Sequence, residues 1–308
     1  MRWGELTIAV VGGDERERVI ARLAAETGAT VRGYGFPWPE GGVPGVDRAP
    51  DPGRALQGAH YALFPVPGLS EEGALYAPAA PAPILPGVEL LRRMAPGAHV
   101  FLGRADDRLR AAAAEAGVTL HEYEHDRELM LLRGPAIVEG ALQLAIEATE
   151  VTIHGSTVCV VGYGTIGGLL ARTLVLLGAR VYVAARNPVQ RAHAYASGAT
   201  PVPLEELPAV APRLAMLFST VPVRVVGAEV LERLPRGTLV MDLAAPPGGV
   251  DLERARALGH RAVWARGLGA RAPVTVGTSQ WRWIEARIRE IEAGRAGREG
   301  QEGDGGRG

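Results

Sequence analysis

The stretch 157–178, TVCVVGYGTIGGLLARTLVLLG, decides the reading of the whole chain. Val158–Val161 is a β-branched run of the kind that forms a strand buried on both faces. Gly162, Gly164 and Gly167 follow at the spacing G-x-G-x-x-G. An apolar helical pattern comes next, Ile166, Leu169, Leu170, Leu174 and Leu177, closed by Gly178 as a C-terminal cap. A second strand begins at Arg180. Each glycine has a physical task in such a turn. The first permits the tight bend, the second lets backbone approach a pyrophosphate, and the third lets helix and strand pack closely. The start of the helix presents unpaired N–H groups and a positive dipole end to the phosphates. The strand–turn–helix–strand setting distinguishes this motif from an isolated glycine pattern and predicts a dinucleotide site. Its residues are Gly162, Gly164, Thr165, Ile166 and Gly167.

The end of the second strand bears on which dinucleotide is bound. Sites that prefer NAD place an acid there for the ribose hydroxyls. This chain has Ala184, Ala185, Arg186 and Asn187 instead. A guanidinium at Arg186 suits the 2′-phosphate of NADP, so NADP is expected ahead of NAD. A solvated surface arginine is the alternative.

Outward from this motif, the alternation of strands and helices continues in both directions. The expected strands are Leu6–Val11, Thr30–Tyr34, Tyr61–Pro65, His99–Leu102 and Thr119–Glu122, and after the fingerprint Ala215–Phe218, Leu239–Leu243 and Arg261–Trp264. Phe36–Pro52 and Leu268–Pro273 read as loops, and Tyr76–Pro86, with its prolines, as an exposed loop or lid. The fold class is therefore α/β with two domains. A flavodoxin-like or Rossmann-like substrate domain occupies 1–136, a linking helix 137–150, and a doubly wound NAD(P)-binding Rossmann domain 151–278. A C-terminal helix over 279–293 is expected to pack back on the first domain. Residues 294–308, with nothing apolar larger than alanine, are expected to be disordered.

Loops after parallel strands share one edge of the sheet, which places further candidates. Thr220, Val221, Pro222, Asp242 and Ala244 are expected near the cofactor, with Gly248 in the following turn. In the first domain, Gly13, Asp14, Pro67, Ser70 and Arg104 fall at strand carboxyl ends and are candidate substrate contacts, each also readable as an ordinary turn residue or solvated charge. Candidate general bases are Glu139 on the linking helix and His154 ahead of the fingerprint strand. Asp242 reads alternatively as an acid capping its own turn.

Composition narrows the function classes. The 308 residues balance 33 basic against 34 acidic side chains, which gives no basic excess for nucleic acid. All the basic residues are arginines, so a Schiff base on a lysine amine is excluded. The single cysteine, Cys159, lies inside a buried strand and rules out both a disulfide framework and a cysteine zinc site. No metal site is expected. The first residues lack the apolar core of a signal peptide, and no apolar run is expected to approach the roughly 20 residues of a membrane span. A cytoplasmic location is expected.

Several phrases together resemble one family. They are EGALQLAIEATEVTIHGSTVCVVGYGTIG (139–167), STVP (219–222), MDLAAPPGGVD (241–251) and GLGARAPVTVG (267–277), with GGDERE (12–17) similar to that family's first turn. The chain resembles the dipicolinate synthase A-subunit family over residues 6–292. The resemblance implies oxidation of dihydrodipicolinate, or its hydroxylated precursor, to pyridine-2,6-dicarboxylate with NADP or NAD. It also implies a small dicarboxylate substrate, the enzyme's flavoprotein-like B-subunit as partner, assembly into hetero- and homo-oligomers, and a role in the mother cell during sporulation. By position it puts Gly162, Gly164 and Gly167 at the pyrophosphate and Thr220 and Pro222 beside the cofactor, and it matches Pro247, Gly248 and Gly249 to the family's Pro-Gly-Gly turn. Two departures stand out. RGPAIV (133–138) replaces an expected asparagine and Pro-Thr pair, and Val274 stands where a lysine follows Ala-Pro, which leaves Arg271 as the substitute cation. The alternatives are another dehydrogenase of the 2-hydroxy acid, alanine or shikimate type, or a cofactor-binding regulatory protein without chemistry. The first normally needs a His–acid pair in the later loops, where only His260 occurs.

Overall fold

The computed structural model describes residues 2–70 and 72–304, with side chains to 297. It divides into two compact units, Met1–Leu132 with Ala272–Gly308, and Arg133–Arg271. The first unit contains β1 (Thr7–Val11), α1 (Glu15–Glu26), β2 (Thr30–Tyr34), β3 (Val46–Arg48), α2 (Pro52–Leu56), β4 (Tyr61–Leu63), α3 (Val88–Leu91), β5 (His99–Leu102), α4 (Asp107–Ala116) and β6 (Thr119–Glu122). Helix α5 (Arg127–Glu147) carries the chain into the second unit. There follow β7 (Thr157–Val161), α6 (Thr165–Leu176), β8 (Arg180–Ala185), α7 (Pro188–Ala196), β9 (Thr200–Pro203), α8 (Leu207–Val210), β10 (Met216–Ser219), α9 (Ala228–Leu231), β11 (Leu239–Asp242), α10 (Leu252–Ala257) and β12 (Arg261–Trp264). Helix α11 (Pro273–Asp304) returns to the first unit.

Each unit has a six-stranded sheet, ordered β3-β2-β1-β4-β5-β6 in the first and β9-β8-β7-β10-β11-β12 in the second, with every pairing parallel. The two orders are the same doubly wound arrangement, whose direction switches between β1 and β4 and between β7 and β10. Helices cover both faces, so the central strands β1, β7, β10 and β11 are apolar along most of their length, with polar residues only at their ends (Thr7, Thr157, Ser219 and Asp242). In β7, Val158 and Val160 enter one core while Cys159 and Val161 enter the other. In β1, Ile8 and Val10 divide from Ala9 and Val11 in the same way. This burial on both sides is why the strands read as continuous runs rather than alternating ones.

Four elements differ from the sequence expectation. Strands β3 and β9 lie where a loop and an unassigned connection were expected. Helix α5 starts at Arg127, ten residues before the expected linking helix, and runs through Pro135. It is 21 residues long with a mean hydropathy of 1.4 over its most apolar window, so by length and composition it reaches a membrane span, against expectation. Its Leu129 lies in the first unit's core, and its Val138, Ala141 and Ala145 in the second's. Helix α11 begins at Pro273, a residue whose missing N–H costs nothing in a first turn. It continues to Asp304, through most of the tail expected to be disordered; residues 305–308 lie outside the described residues. Within the first unit α11 packs on α1, where Gly277 meets the Arg16 carbonyl and Val19, and Trp283 donates to Asp126 at 3.1 Å.

Candidate functional site

The fingerprint turn sits where the second sheet switches direction. Gly162 ends β7 with φ +92°, a left-handed conformation open to glycine at little cost. A Cβ there would lie 2.7 Å from both Thr220 Oγ1 and Val221 Cγ2. The bare position lets the loop after β10 close over the turn, and the Thr220 hydroxyl and amide both donate to the Val161 carbonyl, at 3.1 and 3.0 Å. A Cβ on Gly167 would lie 2.3 Å from the Gly162 carbonyl, so the third glycine sets how closely α6 meets β7. Gly164 differs from both. It caps α6 without a side-chain hydrogen bond, and nothing lies within 4 Å of where its Cβ would be. The start of α6 thus has no side-chain cap, and the position over Gly164 is open space.

That space is a cavity of about 340 Å³. Its walls include Gly162, Gly164, Arg186, Asn187, Thr220, Val221 and Pro222 among the expected residues. Thr165, Ile166 and Gly167 follow directly as the first turn of α6. Asn187 also caps α7, accepting from the Val189 amide at 2.8 Å. Arg186 is exposed and makes no ion pair among the described residues. Six lining residues were not among the expected contacts: Val161, Tyr163, Ala184, Ala185, Gln190 and Leu204. Tyr163 stands at an unconstrained position of the fingerprint, and its hydroxyl donates to Ser197 Oγ at 3.0 Å. Gln190 lies on α7 (Pro188–Ala196), and Leu204 directly follows β9, a strand that the sequence reading left unassigned. An uncapped helix start, an unfilled space over Gly164 and a cavity at the switch point fit a dinucleotide, with the diphosphate on the α6 amides.

Asp242 has a different role from the expected one. It is fully buried, and its carboxylate accepts from the amides of Ala244 (3.0 Å), Gly249 (2.7 Å) and Val250 (3.0 Å). It folds the Pro-Gly-Gly turn and does not line the cavity. Gly248, with φ +82°, lies against it, because a Cβ would meet Asp242 Oδ2 at 2.7 Å. Ala244 is buried and accepts from Trp264 Nε1 at 3.0 Å. His154 is at the opposite edge of the sheet, before β7, against Gly178 and the Leu177 carbonyl. It is too far along the strand from the cavity to act there. Glu139 and Arg271 are paired with each other at 2.7 Å, and Arg271 also reaches Gln143 at 3.2 Å. Neither lines the cavity.

In the first unit, the substrate candidates do gather at the carboxyl edge of the sheet. The Gly13 amide donates to Tyr76, and the Cα of Gly68 approaches the Arg104 carbonyl so closely that a Cβ would lie 2.6 Å from it. Pro67 precedes that glycine, and Ser70 Oγ accepts from the Ala74 amide at 3.3 Å. Asp14 caps α1 and pairs with the buried Arg16 at 2.8 Å. Burial opposes its ionisation, but the Arg16 guanidinium outweighs this and holds the carboxyl below the usual range. Glu17 was not singled out from the sequence. It is buried, accepts from the Asp14 amide at 2.8 Å, and fills the space over Gly13. Burial, reinforced by the Asp14 charge and only partly offset by Arg16, pushes its carboxyl up to about 7.

The comparisons with known proteins agree with this division. Residues 7–124 match the family model described as the N-terminal domain of the dipicolinate synthase A-subunit. Residues 133–244 match that of the D-isomer specific 2-hydroxyacid dehydrogenase NAD binding domain. The chain is 31% identical to the dipicolinate synthase A-subunit of Bacillus subtilis over 94% of its own length and 97% of that protein's. Crystal structures of the dipicolinate synthase A-subunit from Bacillus halodurans and of its Bacillus subtilis counterpart superpose with TM-scores of 0.86 and 0.82. Their identities are 27% and 30%, and the matches cover 94% of this chain and 99% and 97% of theirs. D-lactate dehydrogenase of Escherichia coli, 13% identical with a TM-score of 0.57 over 92% of this chain and 97% of that one, shares the fold alone. The second unit is therefore an NAD(P)-binding domain of dehydrogenase type, and the protein an oxidoreductase.

Proposed function

Because the chain belongs to the dipicolinate synthase A-subunit family, we propose that it oxidises dihydrodipicolinate, or its hydroxylated precursor, to pyridine-2,6-dicarboxylate. The observation that carries this reading is the uncapped start of α6 over the bare Gly164, opening on the 340 Å³ cavity. Bound there, NAD(P) supplies a nicotinamide ring that accepts a hydride. The protein's own task is modest. Loss of a hydride and a proton from dihydrodipicolinate makes an aromatic ring, the hydroxylated precursor first losing water, so the product is strongly favoured and the chain need only orient the donor carbon and exclude bulk water. Gly162, Gly164, Thr165, Ile166 and Gly167 hold the diphosphate, Thr220, Val221 and Pro222 wall the cavity, and Arg186 with Asn187 lies at the β8 end where the adenosine ribose is read. The unpaired Arg186 guanidinium supports NADP over NAD.

The substrate is a dianion, and the cation proposed to meet a carboxylate is either Arg104 of the first unit or Arg271 of the second, the latter standing in for the family lysine replaced by Val274. Gly13, Asp14, Pro67 and Ser70 are the loop residues proposed as substrate contacts in the first unit, and Gly248, in the turn held by Asp242, is the one proposed in the second. Glu139, paired with Arg271, is the remaining candidate for the base. Replacing Arg271 by Ala should raise KM for the dicarboxylate about tenfold or more, and an unchanged KM rejects its role. Membership of a family of A-subunits supports a partner, the enzyme's B-subunit, and the cytoplasm of a sporulating mother cell is the proposed setting. Freshly made dihydrodipicolinate mixed with NADP and the purified chain, alone and with that partner, tests the reading. Reduced nicotinamide and pyridine absorbance appearing together with the chain alone supports catalysis here. Product that forms only with the partner favours a regulatory role, and none in either mixture refutes the assignment.

A further inference from the structure

The first unit has the same strand order as the second and also carries a cavity at the carboxyl edge of its sheet, one strand further out. In the second unit the dinucleotide cavity is bounded by the carboxyl ends of β7 and β8. In the first, a cavity of about 360 Å³ lies at the carboxyl ends of β2 and β3, beneath Ala79 and Pro81 of the proline-rich loop. Its composition is unlike its counterpart's. Tyr34, Phe36 and Trp38 line it together with Arg48, and among the described residues no acidic side chain does so.

The aromatic wall depends on a bare position in β2. A Cβ on Gly33 would lie 2.5 Å from Phe36 Cζ and 3.0 Å from Trp38 Cζ2. Its absence lets both rings lie over the strand, stacked with centroids 4.9 Å apart and planes 20° from parallel. Gly33 pairs in register with Arg48 on β3, which roots the guanidinium beside the rings. Arg48 lies over Trp38, 5.5 Å from the ring centroid, and has no carboxylate partner among the described residues.

The same unit excludes a dinucleotide. Asp14 caps α1 in a capping box, so its first amides are already bonded and an acid stands where a diphosphate would lie. The Glu17 carboxyl fills the space over Gly13, within 2.3 Å of where a Cβ would be. What remains is a ring-sized aromatic cavity with one free guanidinium. A cavity of about 150 Å³ already takes a benzene ring, and a guanidinium binds a carboxylate by two parallel hydrogen bonds.

We propose that this pocket, distinct from the dinucleotide cavity, binds a flat aromatic carboxylate, its ring against Trp38 and its carboxylate on Arg48. Stacking selects for a planar ring, and the paired hydrogen bonds select for carboxylate geometry. The class does not depend on the proposed reaction. Only the choice of pyridine-2,6-dicarboxylate as one probe rests on it, and benzene-1,3-dicarboxylate tests the class independently.

The experiment is calorimetric titration of the full chain with pyridine-2,6-dicarboxylate, benzene-1,3-dicarboxylate, cyclohexane-1,3-dicarboxylate and adenosine monophosphate. It is repeated on Arg48→Gln and Trp38→Leu, with NADP titrated into each variant as a control of folding. Both aromatic dicarboxylates should show a binding component that the saturated ring lacks and that Arg48→Gln weakens about tenfold or more, while NADP binding is unchanged. Arg48 is exposed, so that variant keeps the test decisive if Trp38→Leu fails to fold. Aromatic dicarboxylates with no component sensitive to Arg48→Gln, equal binding of the saturated ring, or adenosine monophosphate binding more tightly than either dicarboxylate at this pocket would overturn the proposal. If benzene-1,3-dicarboxylate binds as expected while dihydrodipicolinate is not oxidised, the pocket stands and the proposed reaction falls.

Discussion

Glu17 is the residue whose charge is most at odds with its surroundings. Burial pushes its carboxyl up to about 7, above the 4.5 of the free group, so the folded state binds the proton more tightly than the unfolded state does. Stability from this group is therefore complete below about pH 4.5 and is lost as pH rises towards 7. The difference corresponds to roughly 3 kcal/mol at most. Glu17→Gln should flatten the urea-unfolding free energy across that window relative to the parent, and equal slopes in the two proteins would refute the assignment. Arg186 supports a second prediction at this scale. Arg186→Ala should weaken NADP binding about tenfold and leave NAD nearly untouched; an equal loss for both would place the guanidinium elsewhere. The two residues differ in how legible they were. Arg186 follows from its place after a strand whose partner carries the glycines. Glu17 was passed over because its burial depends on Gly13 and on the loop after β4, which sequence spacing does not reveal. Asp242 was expected near the cofactor, with capping of its own turn as the alternative, and its three backbone amide partners are those of the turn.

At the scale of elements, the pairing of β7 with α6 depends on Gly167. A Cβ there meets the Gly162 carbonyl at 2.3 Å, backbone against backbone, with no flexible side chain to give way. Gly167→Ala should cost about 1–3 kcal/mol by overpacking, measured as a lower urea midpoint at unchanged slope; an unshifted midpoint would show that the helix can move freely. Long central strands and helices were readable because burial on both faces writes unbroken apolar runs. Strands β3 and β9 were not. Both are sheet edges of three or four residues, and β9 contains two prolines, which only an edge strand accepts readily. Helix α5 was cut short in the reading because Gly134 and Pro135 are breakers in isolation. In the folded chain Gly134 lies against Leu169, where a Cβ would come within 2.4 Å of Cδ1.

At the scale of the molecule, one doubly wound arrangement occurs twice and is used in two ways. The second unit leaves its helix start uncapped over a bare glycine, and the first caps its own with Asp14 and packs Glu17 over the turn. The chain should therefore bind a single nicotinamide dinucleotide, and NADP at a hundred times its Kd should stabilise it by about 2.7 kcal/mol. The strand order and the glycine turn were legible from sequence. That GGDERE (12–17), with only two adjacent glycines, is no second fingerprint was legible too; where Asp14 and Glu17 fold over the turn was not. Gly164 separates binding from folding, because its φ of −79° suits any residue and a side chain there meets only open space. Calorimetric titration of NADP into the parent and into Gly164→Val is thus the most direct test. One binding event per chain in the parent, and at least a tenfold loss in a variant whose melting temperature is unchanged, is the expected result. No heat in the parent, or equal affinity in the two proteins, would contradict it.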